Sequence, residues 1–74
     1  MSTATKATKP HARLISDLGG DSEVHAFITS RTGSQIKVDA VKQMRLRNAI
    51  PWRYRAPLKE WAEGRGVAVP ENFL

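Results

Sequence analysis

The side chains best suited to chemistry in this chain are the hydrogen-bond donors that recur along residues 36–47. Ile36, Val41 and Met44 are spaced to bury one side of a short helix. The polar residues on its other side are Lys37, Lys42, Gln43 and Arg47. Lysine can donate to guanine O6 and N7, glutamine can pair with adenine, and the major groove of DNA admits one α-helix. The pattern therefore favours a helix whose outer face suits DNA.

Within a helix-turn-helix arrangement, the second helix of the pair enters the major groove and its N-terminal residues meet base edges. The predicted base contacts are Lys37, Val38, Asp39, Lys42 and Gln43. Asp39 has a competing structural role, because an acid in the first turn stabilises the helix dipole. The predicted backbone contacts, which set the register without reading sequence, are Ser34, Gln35, Arg45, Arg47, Arg53 and Arg55.

Patterns for catalysis and metal binding are weak. His11 and His25 are the only histidines, and neither has a partner at metal-ligand spacing, so each is interpreted as a surface or core-edge side chain. Ser22, His25 and Asp21 lie within one turn, and no strand-turn-helix elbow surrounds the serine. We therefore expect no enzyme activity, no metal and no cofactor.

The distribution of charge supports a polyanionic partner. The formal net charge is +5, and it is concentrated in two segments. Residues 1–13 carry Lys6, Lys9 and Arg13 with no acid, and residues 37–59 carry many cations against Asp39 alone. Such asymmetry is typical of a nucleic-acid binder, although charge alone is equally compatible with a solvated basic face. Residues 1–10 are expected to form a flexible basic arm. The three cations of the first segment are expected to follow the DNA backbone or enter the minor groove.

The pattern of apolar stripes and glycine stops predicts a small all-α domain over residues 11–66, with no strand. Asn48 is expected to end the third helix in the left-handed conformation. Pro57 interrupts the apolar stripe of the fourth helix, which predicts either an irregular first turn or a separate short turn at residues 51–55 before the helix proper. The predicted helices run from His11 to Leu18, from Asp21 or Ser22 to Arg31 or Thr32, from Val38 to Leu46, and from about Pro51 to Gly64.

The last eight residues, 67–74, are too apolar for a free tail, and we expect them to pack on the domain or on a second copy of the chain. Two copies on half-sites about one helical turn apart would strengthen DNA binding by so small a domain. The predicted dimer contacts are Trp61, Val67, Val69, Phe73 and Leu74. No apolar run reaches the ~20 residues of a membrane span, and the absence of cysteine suits a reducing cytoplasm.

A set of apolar, glycine, proline and arginine positions is distributed over roughly residues 12–62. It consists of Leu18, Gly19, Gly20, Val24, Ile36, Val41, Met44, Arg45, Arg47, Ile50, Pro51, Tyr54, Pro57 and Leu58. This set resembles small Cro-like helix-turn-helix proteins, including YdaS-like phage regulators and the carph-isopro group with its Ile-Pro signature. The resemblance implies a compact four-helix fold and an operator-binding regulator of phage or mobile-element genes, usually a dimer. The link between Ile28 and Ile36 is several residues longer than in the compact motif, and its extra residues are expected to lengthen the second helix or to bulge from the turn.

Two other hypotheses remain open from the sequence. The chain is alternatively the antitoxin of a toxin–antitoxin pair, binding both DNA and a toxin, for which only the short segment 66–74 offers a partner-binding tail. It is alternatively a protein-interaction module whose basic face meets an acidic partner.

Overall fold

The structure is a computed structural model that describes residues 8–74. Within this range the chain forms four α-helices and no strand, which confirms the predicted all-α class. Lys6 and most of the predicted arm lie outside the described residues. The helices are α1 (Pro10–Asp17), α2 (Asp21–Thr32), α3 (Val38–Arg47) and α4 (Trp52–Gly64).

The helix boundaries follow from local sequence. Pro10 opens α1, where its missing N–H costs no helical hydrogen bond. Asn48 ends α3 in the left-handed conformation, with φ 52° and ψ 48°, as the sequence predicts. Gly33 ends α2 in the same way, with φ 72°. Each of these stops lets the chain change direction within a few residues, and after Gly33 the new direction brings α3 against α2.

The predicted separate turn at residues 51–55 is wrong, because α4 runs unbroken through Pro57. Proline at this position removes one helical hydrogen bond, the one to the carbonyl of Arg53. Arg53 is exposed, so water can reach that side of the helix. The buried side chains of Tyr54 and Leu58 lie on either side of the proline in sequence, and their burial outweighs the local preference for a break.

The core draws on every helix and on the C-terminal segment. Helix α3 packs against both α1 and α2, and α4 packs against α2. The predicted apolar stripes of all four helices face inward. The buried apolar residues are Leu14, Ile15, Leu18, Val24, Ile28, Val41, Met44, Ile50, Tyr54, Leu58, Ala62, Val69 and Phe73.

The C-terminal segment corrects the predicted dimer contacts. Phe73 is only 1% exposed and is among the largest fully buried side chains, and Val69 is buried with it. Both therefore complete the core of their own chain and are not available to a partner. Trp61 and Val67 are partly buried against the same core, while Leu74 is exposed.

His11 is buried, 6% exposed, rather than at the surface or core edge, and it joins three distant segments. Its Nδ1 accepts a hydrogen bond from the backbone N–H of Ile50 at 2.7 Å. Its Nε2 lies 2.8 Å from the carbonyl oxygen of Phe73. Because Nδ1 must be an acceptor, the imidazole is neutral and Nε2 carries the proton that is donated to Phe73.

Asn48 supports this junction from the end of α3. Its side-chain Oδ1 accepts hydrogen bonds from the backbone N–H groups of His11 at 2.8 Å and of Ala12 at 3.1 Å. These groups belong to the first turn of α1, where backbone donors have no partner within the helix. Asn48 thus ends one helix with its backbone and caps another with its side chain.

The protonation state of His11 should couple stability to pH. Burial lowers the pKa of His11 below its usual 6.5; the hydrogen bond to Phe73 acts in the opposite direction, and the charge of Arg55 lowers the pKa further. The unfolded chain therefore binds a proton at a higher pH than the folded chain does. The stabilisation is complete above pH 6.5 and is lost as the pH falls from there toward the folded-state pKa.

We predict that the urea midpoint of unfolding falls between about pH 7 and about pH 5. In the variant His11→Gln, which is less stable throughout, this dependence should be much weaker. His25 is present in both proteins, so the difference between their pH profiles reports on His11. If the urea midpoint depended on pH equally in the two proteins, the protonation of His11 would not be the cause of that dependence.

A second pair of variants separates the two roles of Asn48. Asn48→Gly keeps the left-handed backbone accessible but removes the cap of α1, and it should lower the free energy of unfolding by about 1–2 kcal/mol. Asn48→Ala also strains the backbone and should cost about 1 kcal/mol more. Urea unfolding followed by circular dichroism measures both. A glycine variant as stable as the parent would mean that the cap contributes nothing.

Candidate nucleic-acid interface

Helix α3 is divided into a buried side and an exposed side. Val41 and Met44 are buried between α1 and α2. The opposite side, called here the outer face of α3, consists of Val38, Asp39, Lys42, Gln43, Leu46 and Arg47, all exposed. Lys37 is exposed just before the helix, at its N-cap position, and makes no side-chain capping hydrogen bond. All five predicted base-contacting residues therefore lie at the surface.

Leu46 was not among the predicted site residues. It is 56% exposed and lies one helical turn after Lys42. Helical spacing from Lys42 places it on the same side, so periodicity alone was sufficient to find it. An exposed leucine there gives the outer face an apolar element between its polar groups.

An ion pair fixes α3 against the start of α2. Arg45 Nε donates to Asp21 Oδ1 at 2.9 Å, and its second guanidinium nitrogen donates to Oδ2 at 3.1 Å. The hydrogen bond from Arg45 lowers the pKa of Asp21, and the charges of Arg45 and Lys42 lower it further. Arg45 was predicted to contact DNA phosphates. That role stays a prediction, and the structure gives Arg45 another one within the chain, because two of its three guanidinium nitrogens donate to Asp21.

The link between Ile28 and Ile36 consists of the last turn of α2, which ends at Thr32, and most of the loop formed by residues 33–37. Thr32 Oγ1 donates to the carbonyl of Ile28 at 2.7 Å and lies 2.9 Å from Ser34 Oγ. His25 Nε2 lies 2.7 Å from the carbonyl oxygen of Ile36 and donates to it. The loop is therefore held to α2 directly before α3 begins.

Three of the seven acidic side chains of the chain form ion pairs away from α3. Arg13 Nε lies 3.6 Å from Asp17 Oδ2, and Lys59 Nζ lies 3.3 Å from Glu63 Oε2. A guanidinium nitrogen of Arg31 lies 3.7 Å from Glu60 Oε1. The cations of residues 37–55 that make no ion pair within the described chain are Lys37, Lys42, Arg47, Arg53 and Arg55. Uncompensated positive charge is thus concentrated on and beside the outer face of α3.

The other residues predicted to contact the DNA backbone differ in exposure and in the contacts that their side chains make within the chain. Arg55 Nε donates to the carbonyl of Ile50 at 2.6 Å, and its guanidinium lies 4.5 Å from the centre of the Trp52 ring. Arg53 is exposed. Ser34 is half-buried and Gln35 is exposed in the loop before α3. Of the arm residues, Lys9 is exposed at the start of α1, and Arg13 lies within α1 rather than in a flexible arm.

Two grooves flank the helix. One separates α1 from α3 and is lined in part by Lys9, Arg13 and Leu46. The other lies on the far side of α3, where Gln43 and Arg47 face Ala49 and Pro51. The outer face and these two grooves form one continuous candidate surface.

Neither a metal-ligand cluster nor a membrane-spanning helix is found in residues 8–74. No group of three or more His, Cys, Asp or Glu side chains in this range is arranged to hold a metal ion. None of the helices in the same range has the length and apolar character needed to cross a membrane. No protein-family model, curated protein or solved structure matches the chain. The family resemblance drawn from the sequence stays a prediction.

The Asp21–Arg45 pair can be tested by a double-mutant cycle. Asp21→Asn and Arg45→Gln should each lower the urea midpoint, and the double variant should be less destabilised than the sum of the two, because each single change leaves an unmatched partner. The lowered pKa of Asp21 gives a second readout. Its stabilisation is present above pH 3.8 and is lost as the pH falls through the folded-state value.

Asp21→Asn should therefore remove part of the acid sensitivity below pH 3.8 and leave the dependence on His11 above it intact. Additive single and double effects would show instead that the two side chains act independently.

Proposed function

We propose that this chain is a sequence-specific DNA-binding regulator of transcription that places the outer face of α3 in the major groove. The observation that supports the proposal most directly is the composition of that face. Lys42 and Gln43 lie next to each other and are exposed on a helix whose other side is buried, and Lys42 makes no ion pair within residues 8–74. A lysine and a glutamine supply donors for guanine and a bidentate partner for adenine.

The neighbouring residues have complementary roles in this proposal. Lys37 and Val38, at the N-terminal end of α3, meet base edges, with Val38 able to contact a thymine methyl group. Arg47 and Arg53 contact phosphates and set the register. Asp39 either accepts from cytosine N4 or stabilises the first turn of the helix.

Repression by occlusion of polymerase is the simplest mechanism, and the resemblance extends the proposal to genes of phage-like or mobile elements. A homodimer on an inverted repeat would double the base contacts of so small a domain. Val69 and Phe73 belong to the core, so the dimer contacts that remain from the predicted set are Trp61, Val67 and Leu74. The antitoxin alternative needs a free toxin-binding segment. The segment available for this role, residues 66–74, is less suited to it because Val69 and Phe73 are buried in the core of the domain.

Binding selection from a pool of random duplexes tests the proposal. The parent chain should enrich a defined sequence. Lys42→Ala and Gln43→Ala should each lose about 1–3 kcal/mol of discrimination at one base position. Arg47→Ala should instead weaken binding to all duplexes and reduce the slope of log K against log salt by about 1.

Lys59→Ala is the matched control for Lys42→Ala. It removes the same charge from α4, where Lys59 lies beside the C-terminal segment, and it should leave sequence preference unchanged. Failure to enrich any sequence would refute the specific regulator. Equal effects of the two lysine variants would indicate that net charge alone drives binding.

A further inference from the structure

Trp52 is the most exposed large apolar side chain in the described part of the molecule, with 70% of its surface accessible. A single exposed apolar residue is ordinary in itself. What distinguishes Trp52 is that it is held in place. The guanidinium of Arg55 lies 4.5 Å from the ring centre. Arg55 is in turn fixed by the 2.6 Å hydrogen bond from its Nε to the Ile50 carbonyl. One face of the indole is covered by a fixed cation, and the other face is open.

The residues around Trp52 are basic, which favours a negatively charged partner. It directly follows Pro51, which lines the groove shared with Gln43 and Arg47 of α3. Arg53 and Arg55 follow it in the first turn of α4. Residues 40–59 contain no aspartate or glutamate. An acidic partner is therefore favoured around an open aromatic ring, and the ring is continuous with the surface proposed to read DNA.

We infer that Trp52, positioned by Arg55, is a second DNA contact, whose open face covers a deoxyribose of the strand beside the groove that α3 enters. This inference rests on the proposed function. Deoxyribose presents an apolar C–H surface between two phosphates, which suits a large aromatic ring bordered by arginines. The indole N–H can in addition donate to a phosphate oxygen. The faces of bases inside a duplex are covered by their neighbours, so a sugar rather than a base is the surface that a duplex offers to this ring.

The chain contains two tryptophans, which makes the contact directly observable. In Trp61→Phe, Trp52 is the sole tryptophan, and phenylalanine preserves the stack on Phe27, whose ring centre lies 4.3 Å from that of Trp61. Adding a duplex of mixed sequence at about 50 mM salt, where binding is largely electrostatic, should reduce acrylamide quenching of Trp52 by about half or more, because the ring leaves water. In the matched variant Trp52→Phe, Trp61 is the sole reporter, and any change in its quenching measures the shielding that does not arise at Trp52.

Affinity measurements distinguish the contribution of the Trp52 ring from that of Arg55, which positions it. Trp52→Ala should weaken duplex binding about tenfold without changing the salt dependence, since no charge is removed. Arg55→Lys keeps the charge but loses the planar stack and the Nε donor. It should weaken binding by a smaller factor, again at constant salt dependence, and leave Trp52 less shielded in the complex.

Fluorescence polarisation of a labelled duplex, measured in parallel, distinguishes the possible failures. Duplex binding without shielding of Trp52 would overturn the inference and leave the proposed function standing. Absence of any duplex binding would overturn both. Shielding by a single-stranded oligonucleotide but not by a duplex would show that the ring stacks on unpaired bases, which would overturn the deoxyribose contact.

Discussion

The neutral imidazole of His11 is the interaction on which the rest of the structure depends. It satisfies the N–H of Ile50 and the carbonyl of Phe73, two backbone groups that burial would otherwise leave costly and unpaired. Only a side chain that donates at one end and accepts at the other can serve both groups at once. Through these bonds α1, the turn between α3 and α4, and the C-terminal segment meet at one point. The edge of the imidazole also packs against the Phe73 ring, with centres 4.9 Å apart.

The consequence for α3 is that both of its ends are fixed by groups that do not lie on its outer face. The left-handed Asn48 and the bond to Ile50 fix the C-terminal end, and His25 holds Ile36 before the N-terminal end. Between them, Arg45 reaches sideways to Asp21. The side chains that position the helix are therefore separate from those of its outer face. Substitutions on that face can therefore change its surface chemistry without disturbing the contacts that position the helix.

Local features of the fold were readable from the sequence, and distant ones were not. The glycine and asparagine stops, the apolar stripes and the exposure of Lys42 and Gln43 follow from periodicity and backbone preference over a few residues. The bonds of His11 join residues 37, 39 and 62 positions apart, and Asp21 is 24 positions from Arg45. Nothing in a local pattern distinguishes a buried histidine from an exposed one, or a paired arginine from a free one. Pro57 shows the converse, since tertiary burial of its neighbours overrode a correct local preference.

The arrangement of charge argues for a nucleic-acid groove over a general acidic partner. Adjacent unpaired cations repel one another, which destabilises a compact chain unless a partner relieves the repulsion. Three acids of the chain do not neutralise these cations, because Asp17, Glu60 and Glu63 form ion pairs with Arg13, Arg31 and Lys59. An acidic protein surface would relieve the same repulsion, but charge is all that such a partner requires. The outer face of α3 also presents a neutral amide and two aliphatic side chains, Gln43, Val38 and Leu46. Amide and aliphatic groups add little to the attraction between opposite charges, whereas in the major groove they distinguish adenine and thymine from the other bases.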